Sequence, residues 1–139
     1  MDKAMNLKKI GLIHSKYMSS ETAPRQGRYS DEESTIEIFP DYINALDGLQ
    51  KVKSIIVLYW GDRANREVLR TTPPFMTEEY GVFSTRSPHR PNPIAVCVCN
   101  IISIEDNKIR VKGLDALNGS PLLDIKRYIP RVDTDENIE

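Results

Sequence analysis

The chain has 139 residues, 40% of them hydrophobic and 28% charged, with a formal net charge of −1. That suits one globular domain, residues 1–139, able to bury a core without disulfide or metal support. It lacks the basic balance usual in nucleic-acid binders, so contact with a polyanion has to come from a local patch. Cys97 and Cys99, the only cysteines, supply no zinc framework. Spaced two apart, they read as small buried side chains on one face of a strand, as suits a reducing compartment. Residues 1–9 lack the apolar run of a signal peptide. The longest apolar stretches, 55–60 and 94–99, are too short to span a bilayer, so no membrane association and a cytoplasmic location are expected.

Short β-rich runs dominate the chain. Residues 9–14 read as a strand, and Thr35, Ile36, Ile38 and Phe39 suggest a second. Residues 40–49 place Tyr42, Ala45, Leu46 and Leu49 at helical spacing and predict a short helix limited by Gly48. Residues 52–60, VKSIIVLYW, are β-branched and aromatic, long enough for a central strand. Further strands are expected at 67–72, which ends at Pro73-Pro74, at 81–85 and at 94–104. Asp106-Asn107 then makes a hairpin turn into Ile109, Val111 and Leu114, and Leu122, Leu123 and Ile125 form a last strand. Many short strands punctuated by Gly and Pro predict a mainly β fold, a barrel or a sandwich. Residues 131–139 form an acidic, solvated tail.

Three polar segments stand out. Residues 83–94, FSTRSPHRPNPI, carry Pro88, Pro91 and Pro93, which fix φ and stiffen the loop around Arg86 and Arg90. Guanidinium groups on a stiff loop suit a carboxylate or phosphate, although a proline-rich surface loop has the same composition. Residues 113–128 contain the turn pair Asn118-Gly119 flanked by Asp115 and Asp124. Those carboxylates either cap the turn or accept from a ligand's hydroxyl, amino group or transferring proton. Residues 22–28, TAPRQGR, read by themselves as a surface loop. No dinucleotide, P-loop, metalloprotease, nucleophile-elbow or kinase signature occurs. His14 and His89 stand apart in sequence, which gives a covalent triad little support; His89 is a loop residue placed to touch a ligand.

Taken in order, these segments resemble the TrmO tRNA methyltransferases, also called the YaeB or TsaA-like family, over residues 9–130. The resemblance runs through Ile10-Gly11, Ser15 and Tyr17, Pro24-Arg25-Gln26-Gly27, Ala45-Leu46-x-Gly48-Leu49 and Val57-Leu58-Tyr59-Trp60. Its strongest parts are GVFSTRSPHRPNPI at 81–94 and LDALNGSPLLDIKRY at 114–128. It implies a compact antiparallel β-barrel with one or two short helices. It also implies a homodimer with S-adenosylmethionine near the subunit interface, and methylation of N6 of threonylcarbamoyladenosine 3′ to the anticodon in tRNA. Carried over by position, Pro24, Arg25, Gln26, Asp62, Arg63, Arg86, Leu114, Asp115 and Leu117 would contact the cofactor. Arg90, Asn92, Pro93, Lys126 and Tyr128, together with Asp124, would bind the acceptor or shape the site. Asp115 or Asp124 is the candidate base or orienting group. Arg86 or Arg25 is the candidate partner of the cofactor carboxylate, and another arginine of the acceptor's threonyl carboxylate. No metal is needed.

Several positions depart from the family pattern. Gly61 and Asp62 stand for a Phe-His pair, Arg127 for a proline, Ala95 for Gly and Cys97 for Ser, while Asn118 and Ser120 replace Asp and Thr. A counterpart of the extra C-terminal domain of longer bacterial members is also lacking, so tRNA binding would rest on the barrel, its dimer or another protein. Two other readings remain at this stage. One is a methyltransferase acting on a small molecule or another RNA, which the acidic balance and Asp62 favour. The other is a non-enzymatic barrel that binds S-adenosylmethionine.

Overall fold

The computed structural model describes residues 4–27 and 30–134. Arg28 of the 22–28 segment and the acidic residues Asp135, Glu136 and Glu139 lie outside the described residues. Six antiparallel strands close a barrel. They are β1 (Gly11–His14), β2 (Glu33–Ile38), β3 (Ser54–Trp60), β6 (Ile94–Glu105), β7 (Lys108–Lys112) and β8 (Pro121–Arg127), in the order β1-β2-β7-β6-β3-β8. A separate two-stranded ribbon joins β4 (Arg70–Thr71) to β5 (Tyr80–Gly81).

Alternation along each strand explains the closure. In β3, Ile55, Val57 and Tyr59 point inward, and in β7, Ile109 and Val111 do the same. With Ile13, Ile36, Ile38, Cys99, Leu114 and Leu122 they fill the interior. Burying a side chain such as Ile or Val contributes about 1.5–3 kcal/mol, so these residues fix register as well as stability: a one-residue slip would turn them all outward. Cys97 and Cys99 share the inner face of β6, as their spacing requires, and both are free thiols. The outer face of the same strand keeps Ile94, Val96, Val98 and Ile102 between 40% and 49% exposed.

Three elements differ from expectation. The segment predicted as an α-helix over 40–49 is a 3₁₀ helix, Pro40–Leu46, followed by a separate turn, Leu49–Lys51. Gly48 at φ 89° breaks the path between them, a conformation glycine adopts at little steric cost. The strand expected over 67–72 contracts to Arg70–Thr71: a turn closed by Glu67 N donating to Asn65 Oδ1 delays its start, and Pro73-Pro74 end it. The strand expected over 81–85 gives way after Gly81 to a 3₁₀ turn, Val82–Ser84. At the end of the barrel, Pro130–Asp133 forms a single helical turn, α1, at the start of the solvated tail. No helix among the described residues is long and apolar enough to cross a membrane.

Candidate functional site: an arginine-walled cavity floored by Asp115

At one end of the barrel the three polar segments converge on a cavity of about 1180 Å³. The turn at 114–120 supplies its floor, and its position is fixed by hydrogen bonds to the end of β1. Gly119 N donates to Ile13 O (2.8 Å), Asn118 N to Tyr17 O (2.7 Å), and Ser15 N to Asn118 Oδ1 (3.0 Å). Ser15 Oγ closes the loop by donating to Ala116 O at 2.7 Å. The segment at 24–27 is pressed against this floor. A Cβ on Gly27 would lie 1.8 Å from the Gly113 carbonyl oxygen, and Gly113 itself takes φ 100° beneath Val98. Two glycines therefore let two backbones touch, and that contact sets Pro24, Arg25 and Gln26 beside Asp115.

Asp115 is held from below. The Tyr59 phenol donates to its Oδ1 at 2.6 Å and the Cys97 thiol to the same oxygen at 2.9 Å. Among the described residues, Oδ2 accepts no hydrogen bond. Burial, and then the adjacent Asp115 charge, push the Tyr59 phenol and the Cys97 thiol well above their ordinary values, so both stay protonated as donors. Cys99, buried next along the strand, is pushed up to about 12 for the same reasons. The β3–β8 register shifts between Leu58 and Tyr59. The extra residue there is Leu123 of β8, while β3 keeps its alternation, so Tyr59 points inward beneath the carboxylate in step with Ile55 and Val57.

The stiff loop after β5 forms a wall. Arg90 is its internal clamp: Nη2 donates to Val82 O (2.8 Å), and Nη1 to Ser87 O (2.9 Å) and Thr85 O (3.2 Å). Asn65 N donates to His89 Nδ1 at 2.9 Å, joining the wall to the turn after β3. In that turn, Arg63 donates to Asn118 O at 2.8 Å and pairs with Asp62 at 3.4 Å. Arg66 lies over the Trp60 ring and donates to Pro91 O and Asn92 Oδ1. Arg86, by contrast, lines the cavity with no acidic partner and no hydrogen-bond acceptor among the described residues.

Of the positions expected to contact the cofactor, the cavity gathers Pro24, Arg25, Gln26, Asp62, Arg63, Arg86, Asp115 and Leu117. Leu114 is fully buried in the core, and it positions the floor rather than lining the cavity. Of the acceptor set, Arg90 and Pro93 line it, with Arg90 acting as the loop clamp and Pro93 buried. Asn92 lies outside the lining and is held by Arg66. Asp124, Lys126 and Tyr128 do not reach this cavity. Asp124 pairs with Lys126 at 3.0 Å and borders a second, smaller hollow of about 390 Å³ beside the Pro40–Leu46 helix. Sequence reasoning passed over Tyr59 and Cys97 as site residues. Alternation placed them inside the barrel, and only the fold places both beneath Asp115. It passed over Phe75 as well, whose ring packs against Arg25 at 4.2 Å.

A closed antiparallel barrel with an arginine-walled cavity at one end is a β-barrel without the parallel sheet of a Rossmann domain. The profile of the tRNA-methyltransferase O N-terminal domain family matches residues 12–134, and the chain belongs to that family. It is 50% identical over 135 residues to an S-adenosyl-L-methionine-binding protein of Archaeoglobus fulgidus, covering 97% of each chain. It is 44% identical to a probable S-adenosyl-L-methionine-binding protein of Methanothermobacter thermautotrophicus, with 96% of each covered. Among solved structures, TrmO from Pseudomonas aeruginosa superposes with a TM-score of 0.82 at 31% identity; 99% of this chain matches 61% of that one. This chain therefore spans less than two thirds of the TrmO chain whose fold it shares.

Proposed function

We propose that this protein binds S-adenosylmethionine in the Asp115 cavity and transfers its methyl group to N6 of threonylcarbamoyladenosine, 3′ to the anticodon of tRNA, acting as a cytoplasmic homodimer. The observation that carries the reading is the charge of the cavity wall. Arg25, Arg63, Arg86 and Arg90 face only Asp62 and Asp115 there, in a chain whose net charge is −1. Cation is thus concentrated where an RNA acceptor with a threonyl carboxylate would enter.

The residues present fit the cofactor. Its carboxylate suits the Arg86 guanidinium, which has no acidic partner among the described residues, and its ammonium or ribose hydroxyls suit Asp115 Oδ2. Its apolar parts suit Met18, Pro24 and Leu117. The volume exceeds the roughly 300–1,000 Å³ of ordinary ligand pockets, which leaves room for an acceptor base beside it. Bound S-adenosylmethionine supplies an electrophilic methyl group on a sulfonium sulfur that departs as a neutral thioether.

The chain's own contribution is alignment, because holding nucleophile and methyl in line provides several kcal/mol of the barrier reduction. Tyr59 and Cys97 fix Asp115 through Oδ1, so that Oδ2 meets a donor in one orientation. A carboxylate oxygen has two lone pairs, so beside a cofactor hydroxyl Oδ2 would also accept the N6 proton of the acceptor as that nitrogen is methylated. Arg25, a second arginine of the cavity, would take an anionic group of the acceptor, its threonyl carboxylate or a flanking phosphate. Arg90 shapes the wall without leaving it.

Two further features support the homodimer. The outer row of β6 is apolar and exposed, and its Ile94 and Val96 also border the cavity, so a partner packed on that row would close the cavity's side. The test of the whole reading uses methyl-tritiated S-adenosylmethionine with tRNA that carries or lacks the threonylcarbamoyl group. Label only on the modified tRNA is expected. Label on neither tRNA, in a preparation that binds the cofactor, would refute the acceptor assignment and favour a small-molecule acceptor.

A further inference from the structure

We propose that Phe75 is a stacking platform for an unpaired nucleobase of the acceptor RNA at the cavity mouth, an inference that rests on the tRNA reading above. Phe75 is 91% exposed and contributes nothing to the core, yet it sits at φ 67°, in the left-handed region that bulky side chains avoid. Strain of that kind persists where surrounding structure imposes it, and it gathers at functional sites. The surroundings are identifiable. Pro73-Pro74 stiffens the approach, Met76 N donates to Pro73 O at 3.1 Å to close a turn, and β4 pairs with β5 behind it. Arg70 Nε then staples the base of the ribbon to Glu79 at 2.7 Å. The ring is therefore presented on a stiff support and loses little entropy on engagement.

Its placement selects the occupant. Pro74 and Met76, its neighbours in sequence, both line the cavity, so the ring stands on the rim. The Arg25 guanidinium lies 4.2 Å from the ring centroid, leaving most of the ring open to solvent. A cation beside an open aromatic face is the pairing that single-stranded nucleic acid uses, with the base on the ring and the phosphate near the charge. The rim opens onto a wall whose charge is predominantly arginine, complementary to RNA. An adenosine extruded into the cavity leaves its neighbour unstacked, and Phe75 is placed to receive that neighbour.

The test measures binding of a fluorescein-labelled anticodon stem–loop RNA by anisotropy, with cofactor affinity by calorimetry and oligomeric mass by sedimentation. F75A is expected to weaken RNA binding about five- to a hundredfold, as loss of one stacked base does, with cofactor affinity and mass unchanged. F75W should restore binding. F75G should lose RNA binding without lowering thermal stability, because glycine relieves the strained φ; a merely structural Phe75 would lower it. RNA binding by F75A within about twofold of wild type overturns the proposal alone. Lost cofactor binding or altered mass reassigns the ring to the cofactor or to a subunit contact, and also overturns it. Failure of the wild-type protein to bind the RNA overturns the tRNA reading and this inference together.

Discussion

Replacing Tyr59 with Phe removes one oxygen from the barrel interior, and the consequences can be worked from its surroundings. The lost bond is short, 2.6 Å, nearly buried and made to a carboxylate. Hydrogen bonds to charged groups contribute about 1.5–3 kcal/mol. Cys97 continues to donate to the same oxygen, so the lower end, about 1.5 kcal/mol, is expected. In a domain of this length that corresponds to a fall in Tm of about 3–5 °C. With one tether gone, Asp115 samples more than one orientation, and affinity for S-adenosylmethionine should fall about five- to tenfold. Urea denaturation gives the stability change, and calorimetric titration gives the affinity. A double-mutant cycle with Asp115→Asn should return a coupling energy above about 0.5 kcal/mol. Additive effects, or unchanged stability and affinity in Tyr59→Phe, would refute the view that the phenol positions the carboxylate.

The two wall arginines should separate in their effects. Arg90→Ala frees three loop carbonyls and should cost about 2 kcal/mol in urea denaturation. Arg86→Ala should leave stability within about 0.5 kcal/mol yet weaken cofactor binding by calorimetry. Reversal of that pattern would exchange their roles. Gly27→Ala forces a Cβ against the Gly113 oxygen and should destabilise by at least the 1–3 kcal/mol typical of overpacking. A Tm equal to wild type would mean that the two segments separate readily. Alkaline stability offers a fourth check. Tyr59, Cys97 and Cys99 all have folded-state values raised above their ordinary 10.0, 9.0 and 9.0. The stability they contribute is complete below about pH 9. Above it the unfolded chain releases protons that the fold retains, so each cysteine should remove about 1.4 kcal/mol per pH unit from there. For Cys99 the loss should run until about pH 12. Urea midpoints that stay level between pH 8 and pH 10.5 would contradict this.

The strands were legible wherever β-branched and aromatic residues ran together, and the family resemblance chose the barrel over the sandwich. VKSIIVLYW and the long run from Ile94 announced strands but, being apolar on both faces, not which face turns inward, and the shared face of the cysteine pair followed from spacing alone. The segment at 40–49 was not, since its apolar positions fit either helical form and the left-handed Gly48 decided between them. The polar loops were legible as loops, and position in a resembling family placed Pro24, Arg25, Arg86 and Asp115 in one set that the fold brings into one cavity. Three things were hidden. Asp115 and Asp124 flank the same turn, but the 121–127 strand carries Asp124 away to the far side of the ladder. The donors beneath Asp115 come from strands separated from it by 56 and 18 residues, a contact that no local pattern reports. Arg86 and Arg90 look equivalent on one loop, yet only Arg90 finds the loop's own carbonyls.

The central claim is that cofactor and acceptor meet over Asp115. Calorimetric titration of S-adenosylmethionine into the wild-type protein, Asp115→Asn and Asp124→Asn tests it most directly. One cofactor bound per chain, at least about tenfold weaker binding in Asp115→Asn, and wild-type affinity in Asp124→Asn are the predicted results. Wild-type affinity in Asp115→Asn with loss in Asp124→Asn would move the site to the other side of the barrel and contradict the account.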